Sequence, residues 1–371
     1  MFKLKQNNTT VRTELVAGIT TFMAMAYILM VNAGMFSTLG GDALGASYYN
    51  AVYIATALSA VFGTLLIGLL SNLPLAQASG MGLNAFFVYS VCIGMGFTYA
   101  NALVMVLVDG IVFLLLTVTG LRRLIFDAIP KAVKAAIAPG IGLFIAFLGL
   151  QNSGIVVNSD STLVDLHSFN IIFGHTTWAE IMPLLITIAA LIAIGAMSKK
   201  KIKGAVFWGI IGGAVLYYAL GLLTIDGFYA SNVQSKLSLN IIQPFRDFFN
   251  ISFGKVFTEG FNFSEYIAAN GVGSFAATFI ASMLAFCMVD MFDTLGTLYG
   301  ACSAGNLLDK DGNVPNMNKA MLADAAATCF GAVCGTSTVT TFVESSAGIA
   351  EGGKTGLSSV YGLRSEERFS R

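Results

Sequence analysis

Asp109, Asp290, Asp293, Asp324 and Glu344 each lie within a stretch that is otherwise apolar. A charged side chain near the middle of a bilayer costs about 3 kcal/mol or more, so an acid in such a place usually faces an interior cavity or a partner. Asp290 and Asp293 are one helical turn apart and share a helix face. The residues after Asp293, Thr294-Leu295-Gly296-Thr297, include small side chains that let a neighbouring backbone approach closely. No Lys or Arg lies nearby in these stretches to hold the acids permanently charged, which suits them to carrying protons. Asp293 and Glu344 are the leading site candidates. Asp324 reads as a scaffold or coupling group, and Asp290 and Asp109 as structural carboxylates.

The elements that position these acids are membrane spans. Of 371 residues 56% are hydrophobic and 11% charged, against about 25% charged in a soluble domain. The mean hydropathy of +0.77 agrees, and a soluble enzyme is excluded. Net charge is zero, so there is no basic field to recruit nucleic acid. The 5 cysteines sit singly, without a CxxC pair, which suggests neither a disulfide framework nor a metal site. A span needs about 20 mostly apolar residues. Candidates are 15–32, 52–71, 83–97, 102–120, 132–150, 178–197, 205–223 and 272–304, with weaker ones at 319–334 and 340–357. Strand alternation is absent over most of the chain, so an all-α polytopic protein is expected and not a barrel. Residues 1–14 are polar and no cleavage site follows them. Lys and Arg collect there, at Arg122, Arg123, Lys131 and Lys134, and at Lys199, Lys200, Lys201 and Lys203, whereas 33–51 and 150–177 contain none. This predicts a cytoplasmic N-terminus. Segment 224–271 then lies outside, either along the interface or as an ordered cap.

Two places break the helical pattern at membrane depth. Residues 73–84 contain Gln77-Ala78-Ser79-Gly80 and end at Asn84; residues 335–344 read Gly335-Thr336-Ser337-Thr338-Val339-Thr340-Thr341-Phe342-Val343-Glu344. Irregular backbone is tolerated at that depth only where protein or a water-filled cavity surrounds it. A matched pair of interrupted segments is the best sequence pointer to a transporter site. Other features are weaker. Gly140-Ile141-Gly142 is too apolar in context for a phosphate loop, Gly209 and Gly213 suit helix packing, and His167 and His175 lie in an outside loop. Phe22, Phe86 and Phe292 lie where a flat ring could stack, although each singly suits packing better.

The run Gly18-Ile19-Thr20-Thr21-Phe22-Met23-Ala24-Met25-Ala26-Tyr27-Ile28 resembles the opening helix of bacterial purine permeases, the guanine/hypoxanthine/adenine branch of the nucleobase–ascorbate transporter superfamily. Stretches 77–86, 140–149, 292–300 and 335–356 are similar to the same branch, in order. The resemblance implies an inverted seven-span repeat, with spans 1–4 and 8–11 forming a core and spans 5–7 and 12–14 a gate. It implies proton-coupled uptake of a purine nucleobase across the cell membrane, with no cofactor. Guanine and hypoxanthine come first, adenine is compatible with the residues, and a homodimer is possible. Asp293 on span 8 and Glu344 on broken span 10 would bind the base together with their neighbours Asn84, Ala85, Phe86, Thr294, Phe342, Val343 and Ser345. Asp293, Asp324 and Glu344 would carry the proton coupling. The resemblance covers residues from about 10 to 357 and implies a permease domain over 15–357, with core spans 1–4 and 8–10 and gate spans 5–7. Members of the branch continue into further spans where this chain has the polar stretch 358–371, so the expectation is a second repeat lacking spans 11–14. An inorganic-anion carrier of the same fold, or a non-transporting membrane protein, are the alternatives.

Overall fold

A computed structural model describes residues 2–120, 136, 139, 140, 143, 146, 147, 149–151, 153–159, 161–169, 176–200, 202, 205–229, 242–310 and 312–369. Arg122, Arg123, Lys131, Lys134, Ile141, Gly142, His175, Lys201 and Lys203, named above, lie outside the described residues. The chain forms two compact units, Met1–Ile141 with Ile241–Arg371, and Gly142–Asn240.

In the first unit, α1 (Val11–Met25) starts at Thr10, whose hydroxyl accepts the N–H of Thr13, and passes through Ala26 into α2 (Tyr27–Ser37). The long α3 (Gly41–Leu70) follows. The helix ends at Leu70, the chain turns at Asn72 (φ 59°), and beyond Pro74 it becomes the short strand β1 (Gln77–Ser79). It then re-forms as α4 (Met81–Ala85), which continues with wider turns through Phe86–Gly94. α5 is Tyr99–Val118. Beyond the second unit come the short helices α8 (Ile242–Asp247) and α9 (Lys255–Thr258). α10 (Ser264–Ala304) is kinked at Gly271, where φ is 81°. α11 (Met317–Cys334) ends at Gly335 with φ 97°, a left-handed conformation that favours glycine. β4 (Val339–Thr341), α12 (Ser345–Ala350) and α13 (Gly356–Phe369) complete the unit.

Small side chains let α11 pack directly on both α3 and α5: Ala320, Ala323, Ala325, Ala327 and Gly331 are buried along it. Phe36, Phe87, Leu103 and Phe286 fill one core cluster, and Ile67, Leu75, Phe113, Leu295 and Leu298 another. Within 224–271, residues 242–262 are folded against α3 and α5. Asn50 donates to Asp247 at 2.8 Å, and Asn101 on α5 donates to the carbonyls of Gly260 and Asn262 at 2.7 and 3.0 Å.

The second unit contains α6 (Trp178–Lys199) and α7 (Ala205–Thr224). Thr177 and Glu180 form a capping box at the start of α6. Gly209 and Gly213 pack helices, as expected: a Cβ on Gly209 would lie 2.1 Å from Ile194, and one on Gly213 3.4 Å from Ala190. The loop 150–177 holds an unexpected antiparallel hairpin, β2 (Val156–Ser159) with β3 (Leu163–Leu166). Val156 and Val157 favour extended backbone. His167 follows it, half-buried, its N–H donating to Ile155 at 2.9 Å.

Among the described residues, four helical stretches, Val11–Leu70, Tyr99–Val118, Trp178–Lys199 and Ser264–Ser303, are long and apolar enough to cross a membrane, with Met81–Gly94 and Trp208–Thr224 shorter. Two details near the end of the chain differ from a simple apolar span. The weak span at 340–357 is not one apolar helix. It divides into β4, α12 and a turn at Gly352, whose φ is 100°. The boundary at 357 falls inside α13, where Ser358 and Ser359 are buried.

Candidate functional site

The two interrupted segments meet. β1 and β4 pair antiparallel, with Gln77 opposite Thr341, Ala78 opposite Thr340 and Ser79 opposite Val339. Extended backbone at membrane depth needs donors and acceptors from elsewhere, and two threonines supply them in the same way. The Thr64 hydroxyl on α3 donates to the Gln77 carbonyl (3.1 Å) and accepts the Gln77 N–H (2.9 Å). The Thr328 hydroxyl on α11 donates to the Val339 carbonyl (3.0 Å) and accepts the Val339 N–H (3.2 Å).

The acids gather around this ribbon. Asp293 on α10 accepts from the Thr340 hydroxyl at 3.4 Å and is part-exposed. Gly80 lets β4 approach here, because a Cβ on it would lie 2.6 Å from Thr340 Cγ2. Glu344, just beyond β4 and also part-exposed, accepts from the Tyr27 hydroxyl at 2.6 Å. Asp324 on α11 is fully buried; it accepts from the Gln77 amide at 3.2 Å and from the Thr294 hydroxyl at 2.9 Å. Asp324 thus ties the first strand to the helix turn that carries Asp293. Asp290 and Asp109 are fully buried.

The remaining expected residues divide. Thr294 lies between the acids, bonded to Asp324 and 3.3 Å from the Thr340 hydroxyl. Ser345 is buried, its hydroxyl accepting the Ala76 N–H at 2.9 Å, while the Phe342 N–H donates to the Ala76 carbonyl. Asn84 is also buried and turns back on the ribbon: its Oδ1 accepts from Ser79 Oγ at 2.9 Å. Ser79 lies 3.0 Å from the Thr336 hydroxyl, to which Asn32 donates. Phe86 and Ala85 pack against the Phe36–Phe87 cluster, with the Phe86 ring edge-on to Phe286 at 4.9 Å. Val343 is exposed, Phe342 and Phe22 are buried, and Phe292 packs on the Leu295 cluster. Tyr27, the hydrogen-bond partner of Glu344, is not among the residues expected from the sequence. Its place at the α1–α2 junction gives no periodic signal, and its partner lies 317 positions away.

The chain matches a family model described as Permease family over residues 12–360. It belongs to that family. The permease is 39% identical over 97% of its length to a putative permease of Methanocaldococcus jannaschii, 73% of which is covered. It is 36% identical to the guanine/hypoxanthine permease PbuO of Bacillus subtilis and 33% to the adenine permease AdeP of Escherichia coli, covering 97% of this chain and 74% and 71% of those proteins. Among solved structures, it is similar to the transmembrane domain of a cyanobacterial bicarbonate transporter, BicA, with a TM-score of 0.56 at 13% identity, over 99% of this chain and 82% of that one. That likeness concerns the fold. The permease is a multi-pass membrane protein.

Proposed function

We propose that this permease takes up a purine nucleobase, guanine or hypoxanthine foremost, across the cell membrane in symport with protons, with its N-terminus cytoplasmic. The observation that carries the reading is the convergence of Asp293 and Glu344, both part-exposed, at one two-stranded ribbon. A purine is flat and neutral, and presents ring and exocyclic N–H donors that carboxylates can accept. Guanine and hypoxanthine both offer N1–H beside an exocyclic oxygen. The relatives named for guanine, hypoxanthine and adenine transport support the same class. An anionic cargo fits poorly beside Asp293, Asp324 and Glu344, since like charges repel.

In this reading Asp293 and Glu344 hold the base, Tyr27 orients Glu344, and Asp324 holds the two segments in register. Neutralising an acid lowers the cost of moving it through a low-dielectric interior, so the loaded carrier reorients with a proton on board. Uptake into proteoliposomes therefore falls as external pH rises, and a sodium gradient alone drives none. Accumulation driven by sodium at zero proton gradient would overturn the proton assignment. Unchanged purine affinity in both Asp293→Asn and Glu344→Gln would remove the two acids from the site.

A further inference from the structure

Glu14, on α1, is fully buried. Its carboxylate accepts the backbone N–H of Lys354 (3.0 Å), Thr355 (3.3 Å) and Ser358 (3.2 Å), and also the Ser358 hydroxyl. These donors sit at the start of α13, where a helix cannot satisfy its own N–H groups and where negative charge meets the positive end of the helix dipole. Asn72 adds an acceptor for the Gly356 N–H at 3.0 Å.

Glycines press the helix in. A Cβ on Gly18 of α1 would come within 2.3 Å of the Ser358 carbonyl oxygen, and one on Gly68 of α3 within 2.9 Å of the Gly356 carbonyl oxygen. So seated, α13 places the Ser359 hydroxyl 3.0 Å from the Leu73 carbonyl and 2.7 Å from the Leu75 carbonyl. Those carbonyls flank Pro74, in irregular backbone just before β1, where no regular element supplies a donor. The next residues are Ala76, which donates to Ser345, and Gln77, which donates to Asp324.

We infer that Ser359, seated by Glu14 through α13, is a positioning residue for the substrate site: it fixes the approach to β1 and so the register in which the acids meet the ribbon. This rests on the reading of the site given above. The test uses the full chain, purified in nanodiscs, as Ser359→Ala, Ser359→Cys and Glu14→Gln variants. Hydrogen exchange is followed over residues 73–79, and equilibrium binding is measured with radiolabelled guanine.

The expected result is faster exchange across 73–79 in Ser359→Ala and Glu14→Gln. Guanine Kd rises roughly fivefold for the lost hydrogen bond with the number of binding sites unchanged, and Ser359→Cys falls between. A scaffold role alone would lower the number of folded sites and leave Kd as it was, and that result overturns the inference. Unchanged exchange across 73–79 in Ser359→Ala overturns it as well, whatever the ligand. A wild-type chain that binds no purine defeats the substrate reading instead, and the exchange measurement still decides whether Ser359 positions the segment.

Discussion

Between Thr64 and Asn84 the chain leaves a helix, runs as a three-residue strand whose first residue is bracketed by a threonine hydroxyl, and enters a new helix. Between Thr328 and Ser345 it does the same, and the two strands pair with each other. The side chains differ. The first segment presents amides, Gln77 and Asn84, both committed to structure, and continues into the apolar helix Met81–Gly94. The second presents Glu344, part-exposed, followed by a six-residue helix. The means of satisfying broken backbone occurs in both segments, while the acid occurs in one. Backbone geometry can therefore be shared across the ribbon even where the side chains are not.

The largest effect should come from the chemistry that is not shared. Glu344→Gln lowers purine uptake about a hundredfold, as expected when a charged hydrogen-bonding group is lost from a desolvated contact, whereas Asn84→Ala, on the first segment, lowers it far less at equal membrane abundance. Comparable losses would mean that both segments contact the base. Next comes the link between the segments. Asp324→Asn turns one carboxylate oxygen into an N–H₂ group that faces the Gln77 amide or the Thr294 hydroxyl, and uptake falls roughly tenfold with a lower melting temperature. Full activity and stability in that variant would break the proposed register.

Thr64→Val and Thr328→Val test the equivalence directly. Each leaves a buried N–H and carbonyl without their partner, costing about 1–3 kcal/mol, and the two should destabilise the purified protein by similar amounts. A neutral result for one alone would make the resemblance between the segments superficial. The smallest effect belongs to Tyr27→Phe, which removes one donor to Glu344; purine KM should rise roughly fivefold with little change in maximal rate.

Much of this arrangement is visible in the sequence, because a membrane leaves few ways to place polar groups. Asp293, Asp324 and Glu344 stand out against their apolar surroundings, and the Gly/Ser/Thr-rich runs at 73–84 and 335–344 mark both breaks. Pairing of the breaks is less legible, since three residues of strand carry no alternation to read. Neither Thr64 nor Thr328 is distinguishable from any other helix threonine until the strand beside it is known. The role of Tyr27 depends on contact across 317 positions, and Ser358 and Ser359 read as a polar tail because their partners, Glu14 and Leu73, lie 344 and 286 positions off in the chain. Local pattern reveals the chemistry, and distant contact reveals its alignment.

The β1–β4 pairing also has a consequence for biosynthesis. Gln77 and Thr341 are 264 positions apart, so at ordinary translation speed the first strand waits on the order of tens of seconds for its partner to be made. Closing so long a loop is a late, slow event. During that wait Thr64, only 13 positions from Gln77, can already occupy the N–H and carbonyl of the strand's first residue. That local bond satisfies the backbone of a nascent edge, and the two-stranded ribbon can close only once the ribosome has passed residue 341.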